Sequence, residues 1–390
     1  MVSPASFLAS PNELNEPNEL YELYELYEPL FFPQLLHTFQ YSRFLKLSIV
    51  MICGNIAYMK RDLVYDLPKL DLHVHLDGSL RLGTVVELAQ DVPDLPNIKE
   101  TVIPPLRCSL ERYLAAFDVT VAVLQTEVSL TRAAYELCED AAKENVIYME
   151  IRFAPLLHLR KGLTPQQVVE AVLTGMTQAE KDYPIKTNLI LCAMKQESPA
   201  NSEKVARLAI EYLDKGVVAI DLAGPEVNFP PIRHHKAVEI VRAAGLHVTI
   251  HAGEGCCAHH IKQAIDLGAE RIGHGVYLYE DKKTENEVVK KKIPLEICPT
   301  SNLQISGIMN SYADHPMKQY LDEGIPITLN TDNRLMSQID VTHELSAASD
   351  AFCLSWNEIK MILSNSVNAA FAPEDVKDRL REIHHRYFNQ

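Results

Sequence analysis

From Leu67 onward the chain alternates between short apolar runs and longer stretches in which apolar residues recur at helical spacing. The runs with strand character are 69–76, 148–153, 187–194, 217–222, 247–251, 271–273, 294–298 and 326–330. Between most of them lie helical patterns. In 164–182, for example, Thr164 can cap, Pro165 suits the first helical position, and apolar residues then fall on one face. Strand and helix alternating eight times predict an α/β fold, a closed parallel (β/α)8 TIM barrel. In such a barrel, functional side chains stand at the C-terminal ends of the strands.

Two stretches break the rhythm. The segment 79–145, between the first two strands, is too long for one crossover helix and predicts a helical insertion. Its ERYLAAFDVTVAVL pattern suits either a lid over the barrel mouth, which would exclude water, or ordinary packing in the outer ring. Residues 1–59 are different again, with a repeated unit of Glu, Asn, Leu and Tyr that fits neither a helical nor a strand period. We expect a low-complexity, disordered extension there, followed by one barrel domain over 60–390. The apolar run 44–59 is interrupted by Lys46, Ser48, Gly54 and Asn55, short of the ~20 apolar residues a spanning helix needs, so no membrane role is expected.

Composition narrows the partners. A formal charge of −15 argues against a nucleic-acid partner, because that recognition runs on clustered Lys and Arg. The eight cysteines show no CxxC pair and no small-scaffold spacing, so reduced thiols and a cytoplasmic location are expected, the adjacent Cys256 and Cys257 included.

The candidate chemistry starts in KLDLHVHLDGSL, residues 69–80. His73 and His75 are two apart in a strand, so both rings leave the same face, and paired imidazoles at a strand end suit a zinc site. Later strand ends supply His251, His274 and Asp332, with Glu254 three residues past His251. His73, His75, His251 and Asp332 form a ligand set that leaves room for water, and zinc lowers the pKa of such a water to about 7. Glu254 suits a general acid, because an enclosed apolar site raises a carboxyl pKa toward neutrality. His274, beside two glycines, suits orienting or deprotonating the water. The fourth strand, VVAIDLAGPE, has no lysine to bridge two metals, which points to one ion per chain.

HxHLDG, DLAGPE, HAGE, GHG, CPTSN and NTDN, in that order, resemble the adenosine and AMP deaminase branch of the amidohydrolase superfamily, and the adenosine deaminase family most of all. The resemblance runs from Leu67 to about Pro373. It implies zinc-dependent hydrolysis of the 6-amino group of adenosine or 2'-deoxyadenosine, giving inosine or 2'-deoxyinosine and ammonia. Carried over by motif, His73, His75, His251 and Asp332 hold one zinc, Glu254 gives a proton to N1 of the purine, and His274 positions the hydroxide. His75 also lies near substrate. Asp77 would hold the ribose 5' hydroxyl, the backbone at Gly224 would meet N3, and Leu114 and Phe117 fall where the family's apolar lid meets the sugar side. CPTSN matches without assigning its residues separate roles, and a packing or loop-shaping part is expected for Asp221 and Glu226.

One position departs from the animal pattern. Asn333 stands where a second aspartate commonly contacts N7. An asparagine amide donates at any pH, whereas an aspartate must be protonated, so the contact is expected to survive while selectivity among 6-substituted purines is left open. The alternatives are deamination of another 6-aminopurine (adenine, AMP or an N6-substituted nucleotide) and a non-catalytic nucleoside-binding protein.

Overall fold

A computed structural model describes residues 64–389, so the expected extension 1–59 lies outside the described residues. Eight strands pair in parallel in the order of the sequence: β1 Lys69–His75, β2 Val146–Phe153, β3 Lys186–Met194, β4 Val217–Ala223, β5 His247–Ala252, β6 Arg271–His274, β7 Leu295–Ile297 and β8 Ile327–Leu329. Each lies within two residues of the boundaries read from the apolar runs. β1 is buried at all seven positions, as expected for a parallel strand covered on both faces.

The ring closes just beyond β8. The His75 N–H donates to the Asp332 carbonyl at 2.7 Å, the Asp332 N–H donates to the His73 carbonyl at 2.8 Å, and the Leu72 N–H donates to Asn330 Oδ1 at 2.9 Å. Closure therefore lays the chain around Asp332 directly against the two strand histidines.

The barrel also buries charge, which is tolerated only when it is paired and hydrogen-bonded. Arg152 of β2 pairs with Asp221 of β4 at 2.9 Å and Glu296 of β7 at 3.0 Å. Arg271 of β6 pairs with Glu296 and with Glu150 of β2, both at 2.6 Å. These side chains are essentially inaccessible to solvent.

Around the strands, helices form for local reasons. Thr164 caps Pro165–Asp182 by accepting from the Gln167 N–H, and Gln167 returns the bond, a reciprocal capping box. Val168, Val172, Met176 and Ala179 then bury one face of that helix. The insertion between β1 and β2 holds Leu82–Leu88, Ile98–Val102, Leu110–Val123 and Glu127–Lys143. Ser109 caps Leu110–Val123, and this helix lies over the mouth of the barrel: Tyr113 accepts from Asn333 Nδ2 at 2.8 Å, and Phe117 meets His75 edge-on at 6.4 Å between ring centroids. Of the two expectations for this stretch, the lid placement is the one observed. Among the described residues all seven cysteines are free, and no helix is long and apolar enough to cross a membrane.

Candidate active site

Strand ends from around the barrel meet at one point. His73 lies 4.5 Å from His251 and 4.9 Å from His274 between ring centroids, and His75 lies 5.2 Å from His251. Asp332 Oδ1 is 3.5 Å from His73 Nε2 and 3.4 Å from His75 Nε2, while His75 Nε2 and His251 Nε2 are 3.2 Å apart. Donor atoms of His73, His251, His274 and Asp332 all fall within 4.8 Å of one another.

The protons on these rings are set from behind. His73 Nδ1 donates to Glu296 at 2.8 Å and His251 Nδ1 donates to Asp221 at 2.8 Å, so in the neutral rings both Nε2 atoms keep a lone pair toward the cluster. His73 Nε2 is buried without a hydrogen-bond partner. Burial pushes protonation of His75 well below the ordinary histidine value, against the pull of Asp332. For Asp332, burial works the other way but is outweighed by the neighbouring His73, His274 and His75 rings, and its carboxyl stays well below the usual range. Lone pairs and a carboxylate converging on one buried point, one nitrogen otherwise unsatisfied, fit a bound metal cation. His274 and Asp332 both hold left-handed backbone, φ 64° and 58°, a strain of about 1–3 kcal/mol each that concentrates at functional positions.

CPTSN, unassigned residue by residue from the sequence, divides its work here. Ser301 donates to Asp332 Oδ2 at 2.5 Å, and the Asn302 amide faces His274 Nδ1 at 3.1 Å. Because an amide nitrogen only donates, His274 Nδ1 accepts and the ring carries its proton on Nε2. That Nε2 lies 3.5 Å from Glu254 Oε1 on a partly exposed side chain. Glu254 itself is held by its backbone N–H, which donates to Glu226 Oε2 at 3.0 Å. Asp221 proves to be the partner of His251 rather than a packing residue, whereas Glu226 does shape the loop, as expected.

The expected substrate contacts divide into two groups. Asp77 is buried, its Oδ1 has no partner, and burial raises its carboxyl to about 7, with its own backbone N–H opposing and Asp332 adding to the rise. Asn333 gives its amide to Tyr113 and leaves Oδ1 unpartnered. It packs so tightly on Gly78 that a Cβ there would sit 1.8 Å from Asn333 Oδ1. Phe117 reaches His75. Gly224 follows β4 in left-handed backbone, φ 90°, where a side chain would meet Gln196 at 2.4 Å, and Leu114 is half-buried on the lid helix. Neither of these two is bonded to the histidines. Sequence reasoning missed Glu296 and Tyr113. Glu296 did leave a signal, since an acid inside an apolar strand must find a partner.

A family model described as Adenosine deaminase matches residues 68–385. The chain belongs to the adenosine deaminase family. An adenosine deaminase of Clostridium perfringens is 43% identical over 324 residues, covering 81% of this chain and 97% of that protein. One from Enterococcus faecalis is 38% identical over 330 residues, covering 83% and 98%. Among solved structures, adenine deaminase from Arthrobacter aurescens superposes with a TM-score of 0.76 at 26% identity, covering 83% of this chain and 99% of that one. The N6-methyl-AMP deaminase of Arabidopsis thaliana gives 0.76 at 27%, covering 84% and 98%. An amidohydrolase from Burkholderia ambifaria with bound Zn gives 0.75 at 25%, covering 84% and 92%.

Proposed function

We propose that this adenosine deaminase family member hydrolyses adenosine and 2'-deoxyadenosine to inosine and 2'-deoxyinosine with release of ammonia, using one zinc ion per chain. The observation that carries the reading is the convergence of His73, His75, His251, His274 and Asp332 at the barrel mouth, in a chain that matches the family from residue 68 to 385. His73, His75, His251 and Asp332 would hold the ion. Bound there, zinc would supply the Lewis acidity that makes a water nucleophilic at neutral pH.

The protein's own groups supply the rest. Glu254 gives a proton to N1, which drains electron density from C6 and opens it to attack. His274, carrying its proton on Nε2, holds the attacking water by donation, and Asn302 keeps the ring in that tautomer. Asp77 accepts the 5' hydroxyl, the Gly224 N–H meets N3, and Asn333 engages N7 beside the Tyr113 hydroxyl. His75 borders both metal and substrate, and Leu114 and Phe117 screen the sugar side from water. The charge balance and the free cysteines support a small purine nucleoside as partner and a cytoplasmic setting, with neither nucleic acid nor membrane.

A second reading has support, because structural neighbours act on adenine and on N6-methyl-AMP. Asp77 argues against the nucleotide, since a carboxyl at the 5' end accepts a hydroxyl and offers no positive charge to a phosphate. Steady-state comparison of adenosine, 2'-deoxyadenosine, AMP and adenine, followed by ammonia release, tests the assignment. The two nucleosides should have the highest kcat/KM. Faster turnover of AMP or adenine would move this chain to the other substrate class.

A further inference from the structure

A second cluster of metal-binding atoms lies two residues beyond Glu254. Cys256, Cys257 and His260 bring two thiols and an imidazole within 4.8 Å of one another. Cys256 Sγ is 3.1 Å from His260 Nδ1 and 3.5 Å from Cys257 Sγ. Tetrahedral zinc, with bonds of about 2.3 Å to sulfur and about 2.0 Å to nitrogen, would set these separations at about 3.6 and 3.8 Å. Modest side-chain rotation spans the difference. The spacing is held by the helix Ala258–Leu267, whose first turn places His260 over Cys257 through a His260 N–H to Cys257 carbonyl bond of 3.2 Å. A fourth donor is already in place. Glu226 Oε1 lies 3.3 Å from His260 Nδ1, about the separation of an oxygen and a nitrogen sharing one tetrahedral ion. Both thiols are half-buried, open enough for an ion to enter, whereas Cys108, Cys138, Cys192 and Cys298 are buried.

The cluster is wired to the loop of Glu254. Glu226 accepts the backbone N–H of Gly253 at 2.6 Å, of Glu254 at 3.0 Å and of Gly255 at 3.1 Å. Its carboxylate is nearly buried and sits between those three amides and His260. Glu226 Oε1, the oxygen that faces His260, accepts from Gly253, while Oε2 accepts from Glu254 and Gly255, so a cation that draws the carboxylate toward the two sulfurs pulls it away from the amides that fix the Glu254 loop.

We propose that Cys256, Cys257 and His260, with Glu226 as fourth donor, form a second metal site for a thiophilic divalent ion such as Zn2+ or Cd2+, and that filling it slows turnover by drawing Glu226 off the Glu254 loop. The slowing rests on Glu254 being the proton donor of the proposed deamination; the binding does not. Two thiolates give the site the soft character that the histidine and aspartate cluster lacks.

The test adds Cd2+ to reduced, zinc-loaded protein while recording the thiolate-to-cadmium charge-transfer band, bound zinc and cadmium, and adenosine turnover. We expect one cadmium bound beyond the resident zinc, a band that grows with it, and kcat lowered roughly tenfold or more, part of the ~10²–10⁴-fold that a general acid supplies. The double variant Cys256→Ser/Cys257→Ser should keep its unloaded activity and lose band, extra cadmium and inhibition together. Cadmium that merely replaces zinc among the histidines gives no sulfur band, and that result overturns the site. So does a band that persists in the double variant, or a thiol titration showing Cys256 and Cys257 already joined as a disulfide in the reduced preparation. Binding with undiminished kcat overturns the coupling to Glu254. A protein that shows the band and the extra cadmium yet never deaminates adenosine leaves the site standing and refutes the function proposed above.

Discussion

Glu296 is where the barrel's buried charge and its candidate metal centre share one side chain, so Glu296→Gln tests both. One carboxylate oxygen accepts from His73 Nδ1 at 2.8 Å and Arg152 Nη2 at 3.0 Å; the other accepts from Arg271 Nε at 2.6 Å and Thr249 Oγ1 at 2.9 Å. Burial pushes this carboxyl up, but Arg152, Arg271 and His73 outweigh it and hold the group well below its ordinary range, fully ionised. Glutamine keeps the shape and removes the charge. It also turns one acceptor into an NH2 group that faces two donors. If that NH2 points at His73, the ring must move its proton to Nε2 to escape the clash, and the lone pair aimed at the metal is lost. Breaking one member of a buried ion network costs about 3–5 kcal/mol. Losing a carboxylate behind a metal-binding histidine costs about 10–100-fold in metal affinity, which corresponds to about 1.4–2.7 kcal/mol. Equilibrium urea unfolding of zinc-free protein reads the first figure, and competition with a chromogenic chelator reads the second. A variant that unfolds within about 0.5 kcal/mol of the parent and holds zinc equally well would refute the account of how this centre is oriented.

The remaining predictions bear on neighbouring parts of the molecule. Glu254→Gln should keep its zinc and lose about 10²–10⁴-fold in kcat, and undiminished turnover would remove Glu254 from proton transfer. His73→Ala should lose metal and activity together, so unchanged zinc content by metal analysis would contradict its place as a ligand. Gly78→Ala drives a Cβ into Asn333 and should lower kcat/KM for adenosine by about tenfold, the worth of one hydrogen bond; a kinetically silent variant would deny Asn333 a role in binding. Burial raises the Glu344 carboxyl to about 8, with Asp71 and Asp332 adding to the rise against the hydrogen bonds from Thr300. A carboxyl pKa raised on folding favours the folded state most below the unfolded value near 4.5 and loses that benefit as pH climbs toward about 8, at about 1.4 kcal/mol per pH unit. Glu344→Gln should therefore gain stability relative to the parent between pH 5 and 8, by roughly 3–4 kcal/mol in urea unfolding, and parallel pH profiles would show that Glu344 is ionised in the fold.

Local rules made much of this chain legible from its residues. Short apolar runs marked the strands to within two residues, Thr164 and Pro165 marked a helix start, and the spacing of His73 and His75 put two imidazoles on one face, because each of these depends on backbone geometry over a few residues. Glu254, His274 and Asp332 were readable as candidates from their places at strand ends. What stands behind them was not. Glu296 and Asp221 are single acids inside apolar strands, and nothing nearby in the chain says that one faces His73 and the other His251. The same holds for Tyr113, which reaches Asn333 across 220 positions of sequence. Cys256 and Cys257 were visible as neighbours, yet their relation to Glu226 depends on β4 and β5 lying side by side. The residue types and their local directions are written in the sequence, but which buried acid meets which histidine is decided only when the barrel closes. A buried charge or ring nitrogen takes its partner from whatever the packed strands bring within about 3 Å, and that depends on distant register, which no short stretch of chain encodes.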